Sequence, residues 1–193
     1  HRGLLDQLFP HGAKYIAILR DGRDVFLSLQ GTPWGGHSAY SAATRWRDAL
    51  DAIETYQQRC GPERFLLLRY EDLLRAPAET VEQISAFLGV TLPPETRAAM
   101  LEEAEANPRK GNFNKWPERM TAKDRRVFEA VAGDQLAKHG YEVLPQRPRI
   151  TVFDKLYFRL VELVRLLRIN YYHLRNKSPG DTKRKAREAA QRS

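Results

Sequence analysis

The chain has 193 residues, 42% of them hydrophobic and 29% charged, which is typical of a globular protein with one buried core. Its one cysteine, Cys60, excludes an internal disulfide framework and is given no catalytic role. The net charge of +8 comes almost wholly from residues 151–193, which carry +7, while residues 1–150 carry +1. Because residues 1–150 are close to neutral, we expect them to bind a small ligand and no specific nucleic acid.

The first part of the chain alternates predicted helices and strands. A short helix is predicted at residues 4–9 and a buried strand at residues 14–19. A helix follows from about Asp24, then a longer helix over residues 42–59, and a second buried strand at residues 65–68. Two strands separated by helices predict parallel pairing in one sheet.

The second part of the chain is predicted to be mostly helical. Thr80 to Gln83 has the spacing of a capping box, which predicts that a helix begins there. The other predicted elements are the end of this helix at Gly89, a helix over residues 93–106, a basic loop over residues 107–120, and a helix capped by Thr121 that ends near Gly133 with a short continuation to Gly140.

Residues 151–172 form the clearest amphipathic helix of the sequence. Its apolar stripe either packs on the body or a partner, or lies on an anionic membrane to which the basic tail adds attraction. We divide the chain into a body at residues 1–145, a helical extension at residues 146–175 and a basic, disordered tail at residues 176–193. The stripe consists of Phe153, Leu156, Leu160, Val164, Leu167 and Tyr171.

The first strand ends in two arginines and two aspartates between Arg20 and Asp24. The strand should bring Arg20 to the carboxyl edge of the sheet, where open α/β sheets bind ligands. Gly22 would permit a tight turn, and Asp24 would cap the next helix. Arg20 could then bind an anionic group through its fork, and Ser28 through its hydroxyl. The alternative is that the four charged side chains pair with one another at the surface.

Two further segments are candidates for the same site. Tyr70 follows the second strand and should emerge at the same edge as Arg20, where its ring could contact a base; the alternative is a tyrosine packed under the next helix. Arg109, Lys110 and Gly111 could bind one phosphate through two cations and backbone amides, or could be a solvated loop.

Together and in this order, these segments resemble the cytosolic-type and bacterial sulfotransferase family, whose sulfate donor is 3′-phosphoadenylyl sulfate. The resemblance covers about residues 1–143 and includes the Tyr-Glu-Asp-Leu sequence at Tyr70 and the tryptophan, Trp116, that follows the basic loop. It implies that the 3′-phosphate of the donor is held by Arg20, Ser28, Arg109, Lys110 and the backbone of Gly111, with Tyr70 near the adenine.

The resemblance implies an α/β fold in which a parallel sheet is flanked by helices, of the P-loop-kinase-like sulfotransferase type, with a C-terminal amphipathic helix. No phosphate-binding loop sequence precedes the first strand, so we expect a fold that is incomplete at its N-terminus. The implied reaction transfers a sulfuryl group from the donor to a hydroxyl or amine of a small-molecule or glycan acceptor, without a metal. His1 is a candidate general base, or else a frayed terminal residue.

Since the sulfate end of the donor would be bound upstream of His1, we expect little or no transfer activity from this chain alone. One alternative is a nucleotide-binding remnant without chemistry, and another is a protein that acts on membranes or nucleic acid through residues 151–193. No apolar run approaches the ~20 residues that span a bilayer, and no signal peptide is visible, which predicts a cytoplasmic protein. The chain begins with His1 rather than methionine and is expected to be a fragment, so upstream signals stay open.

Overall fold

The computed structural model describes residues 12–30, 32, 38–106, 111–146 and 148–175. These residues form an α/β fold in which helices flank a small parallel sheet, as predicted. The predicted helix at residues 4–9 and the tail at residues 176–193 lie outside the described residues. The elements are β1 (Tyr15–Leu19), α1 (Gly22–Gln30), α2 (Ala39–Cys60), β2 (Phe65–Arg69), α3 (Tyr70–Arg75), α4 (Pro77–Leu88), α5 (Pro94–Glu105), α6 (Trp116–Arg119), α7 (Ala122–Lys138) and α8 (Val152–Arg175).

The sheet of the described residues pairs β1 with β2 in parallel, which confirms the predicted arrangement. The register places Tyr15 opposite Phe65 and Leu19 opposite Arg69. Because the strands run side by side and end together, the residues that follow them, Arg20 and Tyr70, leave the sheet at the same edge.

Helix α2 covers the sheet and joins it to the rest of the core. Tyr56 of α2 makes edge-on ring contacts with Tyr15 at 4.9 Å and with Phe65 at 6.1 Å between ring centroids. The core between α2 and α7 includes the fully buried side chains of Phe128 and Leu136. Burial of such side chains contributes roughly 1.5–3 kcal/mol each, and it fixes α2 and the sheet edge relative to α7.

The turn after β1 differs from the prediction. Helix α1 begins at Gly22, and the carboxylate that caps it belongs to Asp21, whose Oδ1 accepts the N–H of Arg23 at 2.8 Å, so Asp24 is not the cap. Gly22 does not have a positive φ. A Cβ at this position would come within 2.6 Å of the Trp46 ring, so the glycine is needed for space and not for the turn.

Several predicted helix limits are wrong for identifiable reasons. Helix α4 begins at Pro77, a residue whose fixed φ suits the first helical position, so the capping-box prediction at Thr80 is wrong. The Thr121 cap is confirmed, since its side-chain oxygen accepts the N–H of Asp124 at 3.0 Å. The same helix, α7, continues through Gly133 to Lys138. Two short helices, α3 and α6, were not predicted, and α6 lies within the predicted basic loop.

The chain divides into two compact units, residues 1–149 and 150–193. The described part of the second unit contains α8, which begins at Val152, directly after the predicted first residue Thr151, and extends to Arg175. Thr151 and Asp154 cap this helix reciprocally: Asp154 Oδ2 accepts the Thr151 N–H at 2.9 Å, and Thr151 Oγ1 accepts the Asp154 N–H at 3.1 Å. In the described part of the chain, no helix has the length and apolar content to cross a membrane.

Candidate functional site

The candidate site lies at the sheet edge where β1 and β2 end, and its centre is the guanidinium group of Arg20. Arg20 Nη2 donates a hydrogen bond to the backbone carbonyl of Asn112 at 2.7 Å. The guanidinium carbon lies 4.7 Å from the centroid of the Tyr70 ring, within cation–π distance. The guanidinium group of Arg20 therefore brings together the ends of both strands and the loop before Trp116.

One donor of Arg20 has no acceptor in the described part of the chain. Its Nε atom is buried and has no hydrogen-bond partner among the described residues. A buried donor without a partner costs roughly 1–3 kcal/mol, and more when it is charged. An anionic oxygen placed at this atom would satisfy the donor and would face a positive charge.

The backbone of Arg20 is held by the core. Leu19 before it is buried, and the Arg20 carbonyl accepts the indole N–H of Trp46 at 3.0 Å. Tyr70 is the first residue of α3 and is half-buried. Its ring is in contact with the guanidinium group of Arg20.

The loop beside Arg20 is positioned by Asp24. The buried Asp24 side chain accepts the backbone N–H groups of Lys115 at 2.9 Å and Trp116 at 3.0 Å through Oδ1. Lys115 Nζ in turn donates to Asn112 Oδ1 at 2.7 Å. Asn114 has a positive φ of 54°, which lets the loop turn back between these contacts. One carboxylate thus sets the position of a loop that is distant in sequence.

Arg23 does not take part in the site, because it is fully committed to a buried ion network. It is 1% exposed, and its guanidinium group bonds both oxygens of Asp21 at 3.0 and 2.7 Å and Glu129 at 2.8 Å. Its guanidinium carbon lies 3.6 Å from the Trp116 ring centroid. The predicted alternative of mutual pairing thus applies to Arg23 and Asp21, in the interior rather than at the surface, and it leaves Arg20 out.

A second buried carboxylate connects the two strand ends. Glu71 accepts the backbone N–H of Asp21 at 2.9 Å and the hydroxyl of Tyr141 at 3.1 Å. Burial raises the pKa of Tyr141 far above its usual value, and the negative charge of Glu71 raises this pKa further. The Tyr141 hydroxyl therefore stays protonated and donates to Glu71 at physiological pH.

The other predicted site residues stand as follows. Ser28 lies at an exposed position in α1, and no hydrogen bond joins it to Arg20 or Tyr70 among the described residues. Gly111 directly precedes Asn112 in the loop. In the described ranges no cluster of three or more His, Cys, Asp or Glu side chains could hold a metal. His1, Arg109 and Lys110 lie outside the described residues.

Three residues of the site were not found from the sequence. Asn112 supplies a backbone carbonyl, Lys115 a third cation of the basic loop, and Asp24 the anchor of that loop. Lys115 had a signal, since it directly precedes the singled-out Trp116 and follows the Arg-Lys-Gly triplet by four residues. Asp24 had only a capping signal, because its partners lie on a remote segment.

Comparison with known proteins finds similarity to sulfotransferases. The model of the Sulfotransferase family matches residues 1–94. Sulfotransferase 2A1 of Macaca fascicularis is 30% identical over 125 residues, covering 55% of this chain and 44% of the relative. Sulfotransferase 2A1 of Homo sapiens is 29% identical over 125 residues with the same coverage. The chain thus spans less than half the length of these relatives.

Two solved structures are also similar. The crystal structure of mouse sulfotransferase SULT7A1 complexed with PAP matches with 15% identity and a TM-score of 0.49, over 64% of this chain and 58% of that one. The sulfotransferase domain from the curacin biosynthetic pathway matches with 20% identity and a TM-score of 0.44, over 68% of this chain and 54% of that one.

Proposed function

We propose that the chain is a member of the sulfotransferase family and that it binds the nucleotide end of 3′-phosphoadenylyl sulfate for sulfuryl transfer to a hydroxyl or amine acceptor. The observation that carries the proposal is the environment of Arg20. One guanidinium group touches the end of each strand and the basic loop, and its Nε–H has no acceptor among the described residues.

In this proposal Arg20 binds the 3′-phosphate of the donor. A phosphate oxygen at Nε would complete a hydrogen bond that the described residues leave unmade, and the bond would be charge-assisted. Arg109, Lys110 and the Gly111 backbone belong to the same loop as Asn112, which supports their assignment to the same phosphate. Ser28 keeps the role that the resemblance implies, as a hydroxyl donor to the phosphate.

Tyr70 is proposed to border the adenine. Its ring contacts Arg20 at 4.7 Å, so a base stacked on or beside the ring would lie next to the phosphate-binding cation. Aromatic stacking of a base contributes roughly 1–3 kcal/mol and tolerates different bases. The phosphate, rather than the base, would therefore provide most of the selectivity.

The transfer itself takes place at the other end of the donor. The acceptor oxygen or nitrogen forms a bond to sulfur, the bond from sulfur to the bridging phosphate oxygen breaks, and the acceptor proton passes to a base. His1 remains the candidate base, and a small molecule or glycan remains the predicted acceptor. The described residues would contribute binding and orientation to this step.

Isothermal titration with three nucleotides tests the proposal. Adenosine 3′,5′-bisphosphate should bind at least about tenfold more tightly than adenosine 5′-monophosphate, because the monophosphate lacks the group that Arg20 would bind. Adenosine 2′,5′-bisphosphate controls for charge alone, since it carries the same phosphates in a different arrangement. Equal affinity for all three nucleotides would contradict the proposal.

A further inference from the structure

Helix α8 exposes a large apolar surface. The side chains of Phe153 and Leu156 are 84% and 66% exposed, and Leu160 and Leu167 are 59% and 60% exposed. Soluble proteins rarely expose a contiguous apolar patch of this kind without a binding role. The other large apolar side chains exposed on this helix are Val152, Tyr157, Val161, Leu163 and Val164.

These side chains share one side of the helix. Positions 153, 156, 160, 164 and 167 follow the three- and four-residue spacing that brings them into line on an α-helix. Lys155, which is exposed, lies off this stripe because it follows Phe153 by two positions, about 200° around the helix. The helix therefore has an apolar side and a charged side along the part where its side chains are described.

The charge of the segment limits which partner fits this surface. Residues 150–193 contain 11 Lys and Arg against 4 Asp and Glu, a net charge of +7. Two copies of such a segment would repel each other if their helices met side by side. A partner surface with apolar groups beneath an anionic layer would match both the apolar stripe of the helix and the positive charge of the segment.

The start of α8 is stabilised by hydrogen bonds between residues that lie close together in the sequence. Thr151 and Asp154 exchange hydrogen bonds, and those from the Thr151 hydroxyl and N–H hold the pKa of Asp154 below its usual value. A helix with a local cap and 24 residues needs little support from other elements to form. A membrane-bound form of a helix with its apolar side chains on one side would lie along the surface.

We propose that α8 is a membrane-surface helix, which inserts its apolar stripe between the headgroups of anionic lipids. The basic residues of 150–193 add electrostatic attraction to the anionic surface. The function is peripheral attachment, and it is independent of nucleotide binding by the body of the chain.

Vesicle co-sedimentation of the full chain tests this proposal. The chain should bind vesicles of phosphatidylcholine with phosphatidylserine more strongly than vesicles of phosphatidylcholine alone, and a rise from about 0.05 M to about 0.5 M salt should weaken this binding. Leu156→Glu and Leu160→Glu should each lower the partition coefficient at least about tenfold, because each places a charge in the apolar stripe. The matched control Met100→Glu, at a 43% exposed position of α5, should bind like the unchanged chain.

Three outcomes would overturn the proposal. The first is a failure of the vesicle test: either the chain does not bind anionic vesicles, or the stripe variants bind them as strongly as the unchanged chain does. Equal binding of the variants would assign the binding to the tail alone. The second is a dimer in light scattering that the stripe variants convert to a monomer, because a second copy would then cover α8. The third is a large fall in melting temperature of the stripe variants without vesicles, which would show that the stripe packs within the chain.

Discussion

At the scale of single residues, Arg20 and Asp24 have different roles in the candidate site. Arg20 presents a positive charge and a donor that has no acceptor among the described residues, while Asp24 fixes the loop against which Arg20 rests. Asp24 makes this connection through one oxygen, and its Oδ2 atom is buried without a partner among the described residues.

Replacing Asp24 should weaken nucleotide binding through the loop. In Asp24→Ala the N–H groups of Lys115 and Trp116 lose their acceptor, and we expect roughly tenfold weaker binding of adenosine 3′,5′-bisphosphate and a loss of roughly 1–3 kcal/mol in the free energy of unfolding. Asp24→Asn keeps the accepting oxygen and should restore most of the affinity. Titration calorimetry and urea unfolding measure the two effects. Unchanged affinity in Asp24→Ala would show that the loop is held by other contacts.

The residues at the strand ends could be predicted from the sequence, but the loop contacts could not. Arg20 and Tyr70 follow two short apolar runs, and parallel pairing brings such positions together wherever the strands end in register. The contact of Asp24 with Lys115 depends on how a remote segment folds back. A capping signal at Asp24 and a packing role look alike in sequence, because a short acidic side chain after a turn serves both.

At the scale of elements, the entry of α1 into the core depends on the missing side chain of Gly22. The helix begins beside the rings of Trp46 and Phe128, both of which lie within 2.8 Å of where a Cβ would be. This close approach puts Arg20 at the sheet edge and directs α1 away from it. The sequence predicted a glycine-dependent turn. A glycine needed for close packing cannot be distinguished in the sequence from one needed for a turn.

Two glycine-to-alanine substitutions with opposite expected signs test this packing. Gly22→Ala should lower the free energy of unfolding by roughly 1–3 kcal/mol, because the methyl group overlaps two aromatic rings. Gly133→Ala, in the interior of α7, should raise it by about 0.5–1 kcal/mol, since its methyl group would meet only the Glu129 Cβ at 3.9 Å. Chemical unfolding measures both. A Gly22→Ala variant as stable as the unchanged chain would disprove the close packing.

At the scale of the whole molecule, a polar clasp on the side of the body joins α2 to the end of α7. Glu54 of α2 accepts a hydrogen bond from Lys138 at 2.6 Å and pairs with His139 at 3.0 Å. Burial alone would raise the pKa of Glu54, but the hydrogen bonds from Lys138 and His139, the charge of Lys138 and a hydrogen bond from Gln135 together lower it below its usual value. The clasp is therefore strongest when Glu54 is ionised.

The lowered pKa of Glu54 predicts an acid-sensitive part of the stability. A carboxyl whose pKa is lower in the folded protein stabilises it above the unfolded pKa of about 4.3, and this contribution is lost as the pH falls through the folded pKa. The free energy of unfolding should therefore fall more steeply below about pH 4.3 in the unchanged chain than in Glu54→Gln. Glu118→Gln, at an exposed position, is the control and should keep the steep fall. Parallel curves for Glu54→Gln and the unchanged chain would contradict the prediction.

The charge division of the chain could be predicted from composition, and the apolar stripe of α8 from its periodicity, but periodicity did not predict that the stripe is exposed. The buried network of Arg23 could not, since four charged residues after a strand favour a surface location on statistics alone. The three-domain division of the chain and the acceptor class stay predictions.

The most direct test of the account measures whether Arg20 is the source of selectivity for the 3′-phosphate. Titration calorimetry would compare adenosine 3′,5′-bisphosphate with adenosine 5′-monophosphate in the unchanged chain, in Arg20→Ala and in the control Arg97→Ala, a partly exposed arginine on α5. We predict a preference of at least about tenfold in the unchanged chain and in Arg97→Ala, and a ratio close to one in Arg20→Ala. A folded Arg20→Ala variant that keeps the full preference would contradict the account.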